Sequence, residues 1–443
     1  MASPIFMHKF TFWLLLLCMG ITGQAYDLSR VEHFLSSGDI SHAKQALAEE
    51  YIKAQSKKEQ EELEFLAAQI FVREGNYSQA ADIYRKILAN NPSLTRVRLE
   101  LGYVYFLQEE DEKARYNFWL ALAAKDLPAT VQQKVESLLE KIRRRKKWAL
   151  FVSLGLAPDS NVNLVSGRAM SCINFMGTPI CQELEREERA IGFQGAASFE
   201  YIFKFNDSWG LKSHLMVDAL DYKDKQYSFW SIGGAVGPRY ISGNGEYSAG
   251  ILYRQQFNDN HRYNYTKGIY GDFSTDLSRR LFISGRLSYN RNEYNQKMYQ
   301  TYNGNNYAGY SRLIYGLNNH SYVAVSAGLS YEDSRYKWNS FWRQSYGVGY
   351  GRELPWGFVA YVEPNISFVN YWDKRYFLNG HGGLEQWKRQ DVVYGVQLSI
   401  SNKLWRLYNI TPTIRYIYNK RHSNVHNYGY ERNRLEVGIS RSF

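Results

Sequence analysis

Few residues in this 443-residue chain have the types and spacing that chemistry needs. Gly380-His381-Gly382-Gly383 has the composition of an oxyanion-hole loop, but no Gly-x-Ser-x-Gly nucleophile elbow accompanies it. His422 and His426 flank a loop without further obvious ligands, so no metal centre is expected there. Cys172 and Cys181 lie close together between Gly- and Pro-containing turns; in an exported chain they read as a loop-closing disulfide, with two free thiols as the alternative. These residues call for no cofactor, and the chain is read as a non-enzyme.

The work must then lie in residues that bind or line a passage, and their compartment comes from residues 1–25. His8 and Lys9 form a basic n-region, Phe10 to Ile21 an apolar run too short to span a bilayer, and Gly23-Gln24-Ala25 a small-residue cleavage site. Residues 1–25 are therefore expected to be a secretory signal peptide. Cys18 follows Leu17 rather than a small residue, which argues against a lipid anchor at that cysteine.

From residue 26 to 147 apolar residues recur with a helical period and the sequence repeats itself. A shift of 34 aligns Ala67 with Leu101, Ala68 with Gly102, Phe71 with Tyr105, Ala80 with Ala114 and Tyr84 with Phe118. Small residues stand where helices must approach closely, large ones where packed faces must be filled. Gly38, Ala43 and Leu47 echo Gly75, Ala80 and Tyr84 at an offset of 37, a first repeat with an insertion near Ser56-Lys57-Lys58. Val131, Val135, Leu138 and Ile142 make a last apolar stripe that covers the end of the array. The pattern resembles tetratricopeptide repeats, which present a groove lined by the first helix of each pair. That resemblance assigns Glu62, Phe65, Gln69 and Arg73, with Arg96, Leu99, Tyr103 and Phe106, to a surface that binds protein segments.

From 148 to 443 the period changes to two. Ile191, Phe193, Ala197, Phe199, Tyr201 and Phe203 share one face, and Gln194, Ser198, Glu200 and Lys204 the other. The chain is rich in aromatics (16%), yet its mean hydropathy is −0.48, too polar for a helical membrane protein. A barrel with lipid on one face and a polar lumen on the other reconciles the two. Fourteen strands are expected, beginning near 148, 189, 209, 227, 246, 267, 281, 307, 320, 339, 357, 388, 409 and 428. Tight turns near 206–208, 242–245, 318–319 and 354–356 fall on the periplasmic side, and longer connections near 159–188, 258–266, 293–306 and 372–387 outside. Leu435, Val437, Ile439 and the terminal Phe443 look like the signal read by the barrel assembly machinery. The fold expected is a periplasmic helical domain followed by a 14-stranded outer-membrane barrel.

The net charge of +11 is spread along the chain, so nucleic acid is not an expected partner. The basic run Arg143 to Lys147 stands just before the first strand, placed to pair with anionic lipid or the barrel rim, or simply to be solvated. The lumen face carries Lys204, Lys212, Arg239, Arg254, Arg286 and Arg415 against Glu200, Asp218, Asp272, Asp276, Glu332, Glu363 and Asp391. Mixed signs argue against a pore for small ions of one charge and allow pairing along the wall.

The run Pro158-Asp159-Ser160-Asn161-Val162-Asn163 after the first strand, together with this domain order, resembles the Slam family of surface lipoprotein assembly modulators, also described as type XI secretion outer-membrane proteins. The resemblance implies movement of a protein cargo, a surface lipoprotein or a secreted effector, from periplasm to cell surface without nucleotide hydrolysis. It implies that the helices recognise cargo or a periplasmic chaperone, and allows a role in host colonisation. By the residues alone, Asp159 to Asn161 are a polar turn or a segment that folds into the lumen. Exopolysaccharide export and an adhesin or porin are the competing functions.

Overall fold

The computed structural model describes residues 26–125, 127–166, 170–175, 178–183, 186–378, 384–405 and 410–442. The expected signal peptide, the Gly380 to Gly383 loop and Phe443 lie outside the described residues.

Seven helices come first: α1 Ser29–Ser37, α2 Ile40–Lys53, α3 Lys57–Arg73, α4 Tyr77–Asn90, α5 Thr95–Leu107, α6 Asp111–Leu122 and α7 Ala129–Arg145. Gly38 and Gly75 end α1 and α3 with φ of +80° and +78°, a conformation that favours glycine, so their echo in sequence is an echo in geometry. The Ser56 hydroxyl and Glu59 carboxylate close a capping box on α3 at the insertion in the first repeat.

Packing divides the chain into two compact units, residues 1–75 and 76–443. In the first, α1 to α3 bury Val31, Leu35, Ala43, Leu47, Leu63, Leu66 and Ile70. In the second, α4 to α7 pack with the barrel. There a Cβ on Gly102 would stand 2.8 Å from the Phe118 ring, the small-against-large contact that the repeat requires.

The strands are β1 Trp148–Asp159, β2 Met170–Phe175, β3 Thr178–Glu183, β4 Ala190–Lys204, β5 Trp209–Asp221, β6 Phe229–Ser242, β7 Gly245–Asn258 and β8 His261–Ser278. They continue as β9 Leu281–Tyr294, β10 Gly304–Asn318, β11 Ser321–Ser334, β12 Phe341–Glu353, β13 Phe358–Leu378, β14 Leu384–Asn402, β15 Thr411–Ser423 and β16 Tyr430–Ser442. Fourteen of them close an antiparallel barrel in which β1 pairs with both β4 and β16. Ile191, Phe193, Phe199, Tyr201 and Phe203 all face outward and are exposed, as the alternation requires.

Three outer connections differ from expectation. The stretch 159–188 holds a separate two-stranded ribbon, β2–β3. The stretch 258–266 is mostly strand, because Asp259 and Asn260 adopt φ of +46° and +57° and make a two-residue turn between β7 and β8. In the stretch 372–387 the β13–β14 ladder resumes after a register shift between Asn370 and Lys374, pairing 374–378 with 384–388.

Candidate functional site

An even number of strands returns β16 to the end where β1 begins, so α7, which leads into β1, lies at the mouth ringed by the turns at 205–208, 243–244, 279–280, 319–320 and 354–357. This is the periplasmic mouth, and α4 to α7 are docked in it.

One flank is held by a buried charge. Arg98 of α5 is fully buried and donates from both Nη atoms to Glu353 at the end of β12, at 3.2 and 2.8 Å. It also donates to the Pro92 carbonyl at 2.9 Å. Glu353 accepts in addition from Lys403, whose ammonium lies 4.6 Å from the centre of the Tyr116 ring. Burial, and then the Glu353 charge, push the Tyr116 phenol well above its usual range. Beside this, Asn319 in the β10–β11 turn donates to the Ser93 carbonyl at 2.6 Å.

The opposite flank is built from the basic run. Arg143 donates to Asp276 at 2.8 Å and to the Gly243 carbonyl. Arg144 reaches the Asp207 carbonyl at 3.2 Å, Lys146 reaches Glu200 at 3.1 Å, and Lys204 donates to the Arg144 carbonyl. Arg143, Arg144 and Lys146 therefore grip the barrel rim, each meeting an acceptor on a periplasmic turn or strand end, while Arg145 turns back to Asp111 of α6 and Lys147 is exposed. Arg279 and Arg280 answer from the β8–β9 turn, to Glu136 at 3.1 Å and the Ala124 carbonyl at 3.2 Å.

Of the cavities against these helices, two are large. An inner chamber of about 550 Å³ is walled by Tyr116, Trp119, Lys212, Glu246, Arg312 and Tyr322, and an outer cleft of about 990 Å³ by Leu122, Glu136, Glu140, Leu277, Arg280 and Tyr315.

The charges on the lumen face pair along the wall. Lys212 bridges Glu200 and Glu246 at 3.0 and 3.2 Å, Arg239 meets Glu246 at 2.7 Å, Arg254 meets Asp218 at 2.8 Å, and Arg312 meets Glu363 at 3.1 Å. Arg286 meets Asp272, Arg415 meets Glu436, and Asp391 meets Arg389. Glu332 accepts from Asn306 at 2.9 Å. Pairing of this kind lets charge face an interior without stranding a single sign.

The run Pro158 to Asn163 sits at the outer end of the junction between the first and last strands. Asp159 is buried and accepts from Arg432 Nε at 2.9 Å, from the Tyr222 hydroxyl at 3.1 Å and from the Asn161 amide at 3.1 Å. Ser160 and Asn433 exchange two hydrogen bonds, of 3.0 and 2.8 Å. Asn161, fully buried, donates to the carbonyls of Val165 and Glu431, and Asn163 binds both Arg186 and Glu188 backbone groups. Pro158 offers no N–H where the β1–β16 ladder is interrupted, and Val162 packs on the Ala157, Leu220 and Tyr222 cluster. These side chains join β16, β5 and the first outer connection to β1.

The groove residues fall in the two compact units. On α3, Glu62 accepts from Tyr26 at 3.3 Å, Phe65 and Gln69 are half-buried and Arg73 is exposed. On α5, Arg96 and Tyr103 are exposed and Leu99 half-buried; Tyr103 stacks on Phe106 at 6.3 Å between ring centres, and the Arg145 guanidinium covers Phe106 at 4.1 Å. In the β2–β3 ribbon the backbone register sets Cys172 opposite Cys181. No cluster of metal-ligating side chains occurs among the described residues. Sequence reasoning did not single out Arg98, Glu353 or Lys403. An arginine one position after Val97, on the packed side of a repeat helix, was the available signal.

A family model described as surface lipoprotein assembly modifier matches residues 148–443, and its N-terminal repeat counterpart matches 33–118. The chain belongs to the surface lipoprotein assembly modifier family. A family relative from Pasteurella multocida (strain Pm70) is 25% identical, covering 86% of this chain and 76% of its own length. A surface lipoprotein assembly modifier 1 from Haemophilus influenzae (strain Rd) is 24% identical, with 86% and 77% covered. Solved barrels with likeness include the outer-membrane channel DcaP of Acinetobacter baumannii, at 8% identity, a TM-score of 0.38, and 67% and 96% of the two chains covered. A Pseudomonas aeruginosa FadL homologue matches at 8% identity and a TM-score of 0.34, with 75% and 93% covered. The two matches divide where the helices give way to the barrel: the repeat model lies within the helical stretch and the other begins at the first residue of β1.

Proposed function

We propose that this chain delivers lipid-anchored protein cargo from the periplasm to the cell surface, with the helices receiving the cargo and the barrel providing its route. The observation that carries the reading is the docking of α4 to α7 in the periplasmic mouth by paired charges, Arg98 with Glu353 and Arg143 with Asp276. A cargo that meets the helices is already at the entrance. Arg96, Leu99, Tyr103 and Phe106 offer an aromatic surface with a cation for an apolar, acidic segment of cargo or of a chaperone that holds it. On the first unit, Glu62, Phe65, Gln69 and Arg73 extend the same role. Cargo displayed in this way would meet the host first.

The test co-expresses the chain with an epitope-tagged lipoprotein from the same genome and measures surface exposure by antibody binding to intact cells. Removal of residues 26–145 should abolish display while the barrel still assembles; undiminished display would defeat the reading. The Cys172–Cys181 bridge is proposed on the register of the β2–β3 ribbon. Both cysteines should resist alkylation until a reductant is added.

A further inference from the structure

The inner chamber and the outer cleft share five wall residues, Trp119, Leu139, Arg143, Asn244 and Asp276, so the two spaces abut. Their shared wall includes the ion pair of Arg143 with Asp276, at 2.8 Å, with the two side chains 18% and 29% exposed. Asn244, whose carbonyl accepts from the Asp276 N–H at 3.2 Å, also lines both spaces, and Arg239 donates to the Arg143 carbonyl at 3.2 Å. The indole N–H of Trp119 is buried at this partition and has no acceptor among the described residues.

We propose that the cleft between α7 and the β6–β7 and β8–β9 turns is the entry port of the barrel, that Arg143 and Asp276 are its latch, and that its occupant is an extended polypeptide segment of the cargo. The inference rests on the transport reading above. The size of the spaces sets the class of occupant. A folded domain of about 100 residues, with a radius of gyration of about 13 Å, fills a volume on the order of 10⁴ Å³. The cleft, at about 990 Å³, holds a strand and not a domain. The walls suit a strand as well. Leu122, Leu139, Leu277 and Tyr315 offer apolar contact, while Glu136, Glu140, Arg279 and Arg280 offer both signs of charge, so alternate side chains of an extended segment find matching walls without regard to sequence.

The two flanks of the mouth differ in what opening demands. Parting Arg143 from Asp276 exposes each partner to a cleft that already admits water, whereas parting Arg98 from Glu353 strands a fully buried cation. Parting the Arg143–Asp276 latch, with α5 as the fixed side, is therefore less costly than parting Arg98 from Glu353.

The experiment ties each flank separately in cells that display a tagged lipoprotein. In one variant Arg143→Cys and Asp276→Cys are joined by a short bismaleimide; in the other, Ser93→Cys and Asn319→Cys are joined by the same reagent. The port predicts that the first tether reduces display many-fold, with recovery when reagent is omitted, and that the second leaves display unchanged. Equal loss in both would mean that α4 to α7 must undock as a body, and loss in neither that cargo enters elsewhere; either result overturns the port. Absence of display in the untethered parent defeats the transport reading instead, so the two failures are told apart.

Discussion

At one side of the periplasmic mouth Arg98 is wholly withdrawn from water against Glu353, while at the other Arg279 meets Glu136 with 50% and 46% of the two side chains exposed. Both pairs tie a helix to the barrel, and both have good geometry. They differ in what surrounds them. A buried pair is expensive to break because the survivor is left charged in a poor solvent, and an exposed pair is cheap because water replaces the partner. The same kind of contact therefore makes a fixed anchor on one flank and a yielding contact on the other.

The largest effect is expected where the comparison is sharpest. Arg98→Ala should cost about 3–5 kcal/mol, because Glu353 stays buried with Lys403 as its remaining cation. Protease sensitivity of α4 to α7 in membranes should rise, and adding Glu353→Ala should cost less than the sum of the single changes. A second variant asks whether buried pairs elsewhere behave alike: Asp159→Ala at the outer seam strands Arg432 and should also cost about 3 kcal/mol. Its signature should be a lower temperature for the loss of the compact barrel band on gels, with protease sensitivity of the helices unchanged. Arg279→Ala should cost about 0–1 kcal/mol, and raising salt should erase even that. A loss as large as that of Arg98→Ala would remove the distinction between the flanks.

The smallest effect concerns pH. Burial, reinforced by the Arg352 and Arg98 cations, holds the His320 imidazole in the β10–β11 turn below its ordinary value of about 6.5. The unfolded chain then takes up the proton first, so stability falls as pH drops below about 6.5 and levels off once the folded imidazole is protonated too. His320→Gln should flatten the melting temperature between pH 7.5 and 5.5.

The barrel was legible because lipid and lumen make opposite demands on alternate residues, as in Ile191 to Phe203. Where the wall rises beyond the lipid, that demand ends. Residues 261–266 of β8 carry no aliphatic side chain of the kind lipid selects and read as loop although the ladder continues through them. The β2–β3 ribbon was hidden for a similar reason: it is short, and no buried face imposes a pattern on it. The helical repeat was visible in Ala80, Tyr84, Ala114 and Phe118 because close packing recurs at a fixed spacing. Arg98 and Glu353 were not, since their partnership spans 255 positions and local pattern carries no record of it. The Pro158 to Asn163 run stood out by composition, but which strand answered its side chains was a question of barrel closure.

The seam held by that run bears on how the barrel is finished. Asp159 is made early in the chain and Arg432 lies 273 positions later, yet neither is comfortable without the other. A wall still lacking β16 would keep a carboxylate at its open edge that disfavours burial, and the last strand would bring the cation, the Asn433 backbone and the Glu431 carbonyl together. Closure is then an inspection of completeness, in which the edge seals only when the whole wall has arrived.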